Sequence, residues 1–243
     1  MSELDSWALS EFDDGTHKFP VYRKGEGPGV IVVHEIPGLT DKVLAFGQEV
    51  VDAGFTVLMP SLFGTPGRPK TGLYTLASIG RLCVRSEFTK IALRRTSPVA
   101  DWLRALARTT HDELGGPGVG ALGMCFTGGF ALAMLADAPV VAPVLAQPSV
   151  PFPFGRARGA ALDLSAADLT AVKAKTAAGC PVLGLRFTGD PVVGTRFDTL
   201  RQELGDKFIA VEFPGKQHST LTEHRQQEGV ERVLAFFRER LTT

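Results

Sequence analysis

The stretch Val119-Gly120-Ala121-Leu122-Gly123-Met124-Cys125-Phe126-Thr127-Gly128-Gly129 decides the fold. Val119 to Gly123 reads as a short strand of small and apolar residues. Phe130 to Ala136 reads as a small-residue helix. Between them stands a lone thiol. A strand that turns at once into a helix around one side chain strains that residue and needs small neighbours. The helix N-terminus behind Cys125 favours a thiolate, and the backbone N–H groups there can receive an oxyanion. The common fate of a lone cysteine is burial as a small apolar residue. The glycine-rich flanks and the strand-to-helix position argue against that fate here.

Working outward, the same alternation of strand and helix recurs. Val30 to His34 is short, β-branched and continuously apolar, as a buried parallel strand should be. A helix is expected over 41–53, with Val43, Phe46, Val50 and Val51 on its apolar side, and a strand over 55–60. Residues 61–74 read as a long loop and 76–95 as a basic helix. Ser97-Pro98 opens a helix through Leu106. Val140 to Leu145, Pro181 to Phe187 and Phe208 to Phe213 are further strands, with helices over 164–177 and 197–204 and a last one from Glu223 to Leu241. Residues 147–161, rich in Pro, Phe and Arg, show no periodicity and read as a flap or crossover near a site. His17 to Arg23 reads as a strand, and residues 1–16 as a polar segment that is either a mobile start or a short edge strand. Alternating strands and helices imply an α/β class: a mostly parallel sheet with helices on both faces. No repeat or linker divides it, so 17–243 is expected to be one domain.

Composition narrows the function classes. Among 243 residues, 26 Lys and Arg balance 26 Asp and Glu, so no basic footprint for nucleic acid stands out. Three cysteines, Cys83, Cys125 and Cys180, form neither a disulfide framework nor a metal clip, and a reducing compartment follows as the default. No signal peptide is legible at the N-terminus. No apolar run approaches the roughly 18 residues that span a membrane. A cytoplasmic protein without membrane or nucleic-acid partners, monomeric or a homodimer, is the expectation.

In such sheets the working residues lie at the carboxyl ends of the strands. Four reactive groups fall at such ends: Glu35, Cys125, Asp190 and His218. Nucleophile, acid and histidine come in the chain order of the α/β-hydrolase triad. His218 would deprotonate the thiol and later protonate the leaving group, and Asp190 would fix the imidazole tautomer. Singly, Asp190 reads as a turn residue in Gly-Asp-Pro and His218 as a solvated loop residue. Together with Cys125 those readings lose force. His34 beside Glu35 makes no metal site, because no further ligands sit at helical spacing.

Val-His-Glu-Ile-Pro-Gly-Leu (33–39), Gly-Met-Cys-Phe-Thr-Gly-Gly (123–129), Phe-Thr-Gly-Asp (187–190) and Gly-Lys-Gln-His-Ser (215–219) resemble the dienelactone hydrolase family over nearly the whole chain. The resemblance implies a single-domain α/β-hydrolase fold and a catalytic set of Cys125, Asp190, His218 and Glu35. In that scheme Glu35 holds the resting thiol until substrate displaces it. The backbone N–H groups of Ile36 and Phe126 would form the oxyanion hole. Arg81, Arg85, Phe152 and Ser219 are candidate substrate-binding residues. Neither metal nor organic cofactor is implied.

Two positions depart from the family. Many members have Gly two residues after the cysteine, where this chain has Thr127. The family's carboxylate-binding Arg, four residues after the histidine, is replaced by Thr222. The expected activity is hydrolysis of a lactone, small ester or thioester through an acyl-Cys125 intermediate. The alternative is a non-hydrolytic ligand receptor, or an isomerase or cyclase of a small-molecule pathway.

Overall fold

The computed structural model describes residues 3–76, 78, 97–150 and 155–242. Eight strands form one sheet: β1 (Ala8–Asp13), β2 (Lys18–Lys24), β3 (Gly29–Val33), β4 (Thr56–Pro60), β5 (Val119–Met124), β6 (Val140–Ala146), β7 (Val182–Phe187) and β8 (Phe208–Phe213). Their order across the sheet is β1-β2-β4-β3-β5-β6-β7-β8. β1 and β2 pair antiparallel with each other, and β2 pairs antiparallel with β4; every other pairing is parallel. The α-helices that lie wholly within the described residues are α1 (Asp41–Asp52), α2 (Pro98–Leu114), α3 (Phe130–Asp137), α4 (Arg156–Ala160), α5 (Ala166–Ala177), α6 (Arg196–Leu204) and α7 (Gln227–Leu241).

The central strands separate two cores by simple alternation. In β3, Ile31 and Val33 point into the layer that holds Trp102 and Leu103 of α2, Leu132 and Leu135 of α3, Val172 of α5 and Phe197 of α6. Val30 and Val32 point the other way, to Phe46 and Val50 of α1 and to Phe236 and Phe237 of α7. All four β3 side chains are buried, which explains why the strand reads as one unbroken apolar run. Each fully buried Phe, Leu or Ile contributes about 1.5–3 kcal/mol over an exposed one.

Several helix ends obey local chemistry. Thr40 Oγ1 accepts the Val43 N–H at the start of α1, and Ser165 Oγ accepts the Asp168 N–H at the start of α5. Pro98 opens α2 behind Ser97.

Differences from the sequence reading have identifiable causes. α2 runs on to Leu114, past the expected end at Leu106, and stops only at Gly115, whose φ of 69° suits glycine. Thr110 continues its buried face, a polar residue that an apolar periodicity passes over. Of the two readings for residues 1–16, the edge strand is present as β1, with Trp7 buried beside it. The last helix begins at Gln227 and not at Glu223, because residues 219–226 are engaged in turns and in side-chain bonds at the site. α4 lies inside the stretch without periodicity. The expected helix over 76–95 lies almost wholly outside the described residues. No helix among the described residues is long and apolar enough to cross a membrane.

Candidate active site

The carboxyl ends of β3, β5, β6, β7 and β8 bring Glu35, Cys125, Gln147 with Ser149, Asp190 and His218 to one edge of the sheet. Four non-glycine residues among those described have left-handed backbones: Cys125 (φ 53°), Gln147 (φ 38°), Asp163 (φ 60°) and Ser219 (φ 42°). Three of the four belong to this site. Such conformations cost of order 1–3 kcal/mol each and persist where surrounding contacts fix them.

Those contacts are visible at the elbow. The Cys125 carbonyl accepts the N–H groups of both Gly128 and Ser149 at 3.0 Å. A Cβ on Gly123 would stand 2.1 Å from the Thr127 carbonyl oxygen, and one on Gly128 would stand 2.6 Å from Pro148 Cα. Both glycines are therefore required by close approach. Thr127 needs no such space. Its hydroxyl is fully buried, accepts the Met124 N–H at 3.0 Å, and faces the carbonyls of Val33 (3.0 Å), His34 (3.1 Å) and Met124 (3.0 Å). The β-branched residue thus ties the elbow to the end of β3 and keeps its hydroxyl under the site.

Asp190 and His218 make the expected pair. His218 Nδ1 lies 2.5 Å from Asp190 Oδ2, and the other carboxylate oxygen accepts the Val192 N–H at 2.9 Å. Nδ1–H donates to the carboxylate, which leaves Nε2 as the reactive nitrogen. Nε2 is buried and faces Cys125 Sγ. Burial pulls the ring's pKa down. The negative charge of Cys125, the bonds to Asp190 and to Cys125 and the Asp190 charge outweigh burial and push it up to about 10. The imidazolium is thus stabilised next to a cysteine that can carry its counter-charge.

The structure places Glu35 differently from expectation. Its buried carboxylate accepts Ser219 Oγ at 2.7 Å, Gln147 Nε2 at 3.5 Å and the Thr222 hydroxyl. Cys125 Sγ is hydrogen-bonded instead to Ser149 Oγ, at 3.3 Å. The physical reason lies in the loop after His218. Ser219 and Thr222 supply hydroxyl donors that a buried carboxylate needs, and they saturate it. Ser219, expected at the substrate, is 2% exposed and spends its hydroxyl on Glu35. Gln147 Oε1 in turn accepts the Thr220 N–H at 3.1 Å and the Thr220 hydroxyl at 2.7 Å. The His218 loop is therefore pinned by β3 and β6 together.

His34 supports the same corner from beneath. Its Nδ1–H donates to the Glu35 carbonyl at 3.0 Å, and its Nε2 accepts the Leu62 N–H at 3.1 Å. Complete burial pushes its pKa down to about 4 against the raising effect of the Glu35 carbonyl, so the ring is neutral. Phe63 stacks edge-on against His34 (4.4 Å) and Phe126 (5.8 Å), giving an apolar wall beside Ile36 and Phe126.

Gln147 and Ser149 were missed in the sequence. Their one signal is position, immediately after the end of β6. Arg81, Arg85 and Phe152 lie outside the described residues. A separate groove of about 630 Å³ runs between α1 and the His218 loop, lined by Lys42, Phe46, Glu49, Leu221, Thr222 and Arg225. It does not include Cys125, Ser149 or His218, and its charged rim is already paired, Lys42 with Glu223 and Arg225 with Glu49.

The fold has solved relatives. A putative dienelactone hydrolase from Klebsiella pneumoniae subsp. pneumoniae MGH 78578 is 16% identical, with a TM-score of 0.66 and 98% of each chain covered. The dienelactone hydrolase from Anabaena variabilis ATCC 29413 is 19% identical, with a TM-score of 0.66 over 97% of this chain and 98% of that one. A dienelactone hydrolase-like promiscuous phosphotriesterase from metagenomic libraries is 19% identical, with a TM-score of 0.64 over 97% and 98%. No curated protein matches the sequence. The model of the dienelactone hydrolase family matches residues 15–240, and the chain belongs to that family, a branch of the α/β-hydrolase superfamily, which supports a carboxylic ester hydrolase.

Proposed function

We propose that the protein hydrolyses a lactone or a small ester or thioester by nucleophilic catalysis at Cys125. The observation that supports this most is the Asp190–His218 pair at 2.5 Å, with His218 Nε2 buried and facing the Cys125 sulfur. An imidazolium N–H beside the nucleophile can protonate the leaving group, and the neutral ring that remains can then act as the base toward water.

In this reading the Cys125 thiolate attacks the acyl carbon, and the carbonyl π pair moves onto oxygen. The N–H groups of Ile36 and Phe126 receive the oxyanion. Collapse breaks the C–O bond (C–S in a thioester). His218 Nε2–H protonates the departing group, which stays tethered when the substrate is a lactone. Water then adds to the acyl-thioester as Nε2 takes its proton. The tetrahedral adduct then collapses, the C–S bond breaks, and carboxylic acid and thiolate are released beside the imidazolium that Nε2 has just become.

The apolar wall of Phe63 and Phe126 suits a small acyl group beside the elbow. The three cysteines, unsuited to a disulfide framework, favour a cytoplasmic setting, and a monomer or homodimer suffices.

A panel of activated esters, thioesters and lactones, assayed with wild type and Cys125→Ala, tests the proposal. Turnover in wild type that Cys125→Ala abolishes is the expected result. Turnover that survives the substitution removes Cys125 from the mechanism. Tight ligand binding without turnover in wild type would favour the receptor reading.

A further inference from the structure

Ser149 sits where a second group on the nucleophile would sit. Its Oγ is 3.3 Å from Cys125 Sγ, its own N–H donates to the Cys125 carbonyl at 3.0 Å, and it is fully buried. Side chain meets side chain and backbone meets backbone, so the two residues are fixed to each other at two points. The segment cannot drift, because Pro148 lies against Gly128 so closely that a Cβ there would clash, and Gln147 is anchored to Thr220.

The direction of the bond follows from counting protons. A buried hydroxyl has one proton to donate, and buried polar groups are almost always satisfied. Cys125 Sγ is the only hydrogen-bond partner of Ser149 Oγ among the described residues. Were the thiol the donor, the hydroxyl proton would have no acceptor. Sγ therefore accepts from Ser149 while it faces the His218 ring, and hydrogen bonds to charged acceptors are the strong ones.

We propose that Ser149 is a further catalytic residue, whose hydroxyl donates to Cys125 Sγ and holds it as a thiolate in the resting enzyme. Ser149 thereby fills the place beside the resting sulfur that the family resemblance gave to Glu35. The carboxylate is left to brace the His218 loop. The inference rests on the nucleophilic role of Cys125. During acylation the sulfur's charge passes into the new C–S bond, so the Ser149 bond weakens as the acyl-enzyme forms and recovers when the thiolate is released.

The test is the pH dependence of alkylation at Cys125 by iodoacetamide, read by mass spectrometry of the peptide that contains it. Ser149→Ala should raise the acid-limb midpoint by about one pH unit, the size expected for loss of one bond to a charged group. Its kcat/KM should fall about tenfold at neutral pH and recover toward wild type in alkali. Ser149→Thr, which keeps the hydroxyl, should restore both. A Ser149→Ala midpoint below that of wild type overturns the proposal. So does a Ser149→Ala midpoint equal to wild type. If Cys125→Ala keeps its turnover, the nucleophile assignment fails instead, which separates the two outcomes.

Discussion

Ser219 Oγ donates to Glu35 Oε2 at 2.7 Å, so the residue next to His218 is held by the carboxylate at the end of β3. Thr222 bonds the other oxygen of the same group. A buried charge, three donors and a left-handed Ser219 backbone are thus one unit.

Loosening that unit should misplace His218 before it disturbs the sheet. Thr222→Val removes one bond to a charged acceptor and should cost about 1.5–3 kcal/mol. Thermal unfolding should then shift down by about 2–4 °C for each kcal/mol in a chain of this size. kcat should fall more than KM rises, since the histidine rather than the binding wall is disturbed. Steady-state kinetics and calorimetry on Thr222→Val and Thr222→Ser check this, with Thr222→Ser close to wild type.

Thr127 makes a separate prediction about the elbow. Thr127→Val keeps the shape but strands the Met124 N–H at a fully buried position, at a cost of about 1–3 kcal/mol. Thr127→Ser keeps the hydroxyl and should lose less than half as much. Denaturant unfolding of the two variants decides it. Equal stability of Thr127→Val and wild type would show that the hydroxyl does not hold the elbow.

His218 sets an alkaline limit. Its folded pKa is raised from 6.5 to about 10, so the protonated ring stabilises the fold fully below about pH 6.5, and that contribution is lost as pH rises through about 10. The stability difference between wild type and His218→Ala should therefore shrink from neutral pH toward pH 10. Activity should decline over the same alkaline range, as the ring loses the proton that the leaving group needs. Unfolding and rate profiles measured across that range test both statements.

His34 sets an acid limit with the opposite sign. Its folded pKa is lowered to about 4 by burial, so the neutral ring's contribution is complete above about pH 6.5 and is lost as pH falls toward about 4. His34→Asn, unable to titrate, should show a flatter stability profile between pH 6.5 and 4. It should start from a lower value, because Asn cannot span the Glu35 carbonyl and the Leu62 N–H together. A profile as steep as wild type would assign the acid loss to other groups.

Much of this was legible in the chain. β3 reads as a strand because all its side chains are buried, and Cys125, Asp190 and His218 are found by their places after β5, β7 and β8. What stayed hidden depends on contacts between distant segments. Ser149 meets Cys125 across 24 residues, and Gln147 meets Thr220 across 73, with no local pattern to announce either. The partners of Glu35 stayed hidden for the same reason. Its partners Ser219 and Thr222 lie 184 and 187 residues away, and only the folded loop shows that they saturate the carboxylate. Thr222 looked like the loss of a substrate-binding group, and in the structure it is a donor to Glu35.

The most direct test of the central claim is to trap the covalent intermediate. An activated ester, mixed with the enzyme and quenched in acid during turnover, should leave the mass of one acyl group on the peptide containing Cys125. Water should remove that group at a rate no slower than kcat. Absence of any acyl adduct in a turning-over enzyme, or an adduct on a residue other than Cys125, would contradict the account.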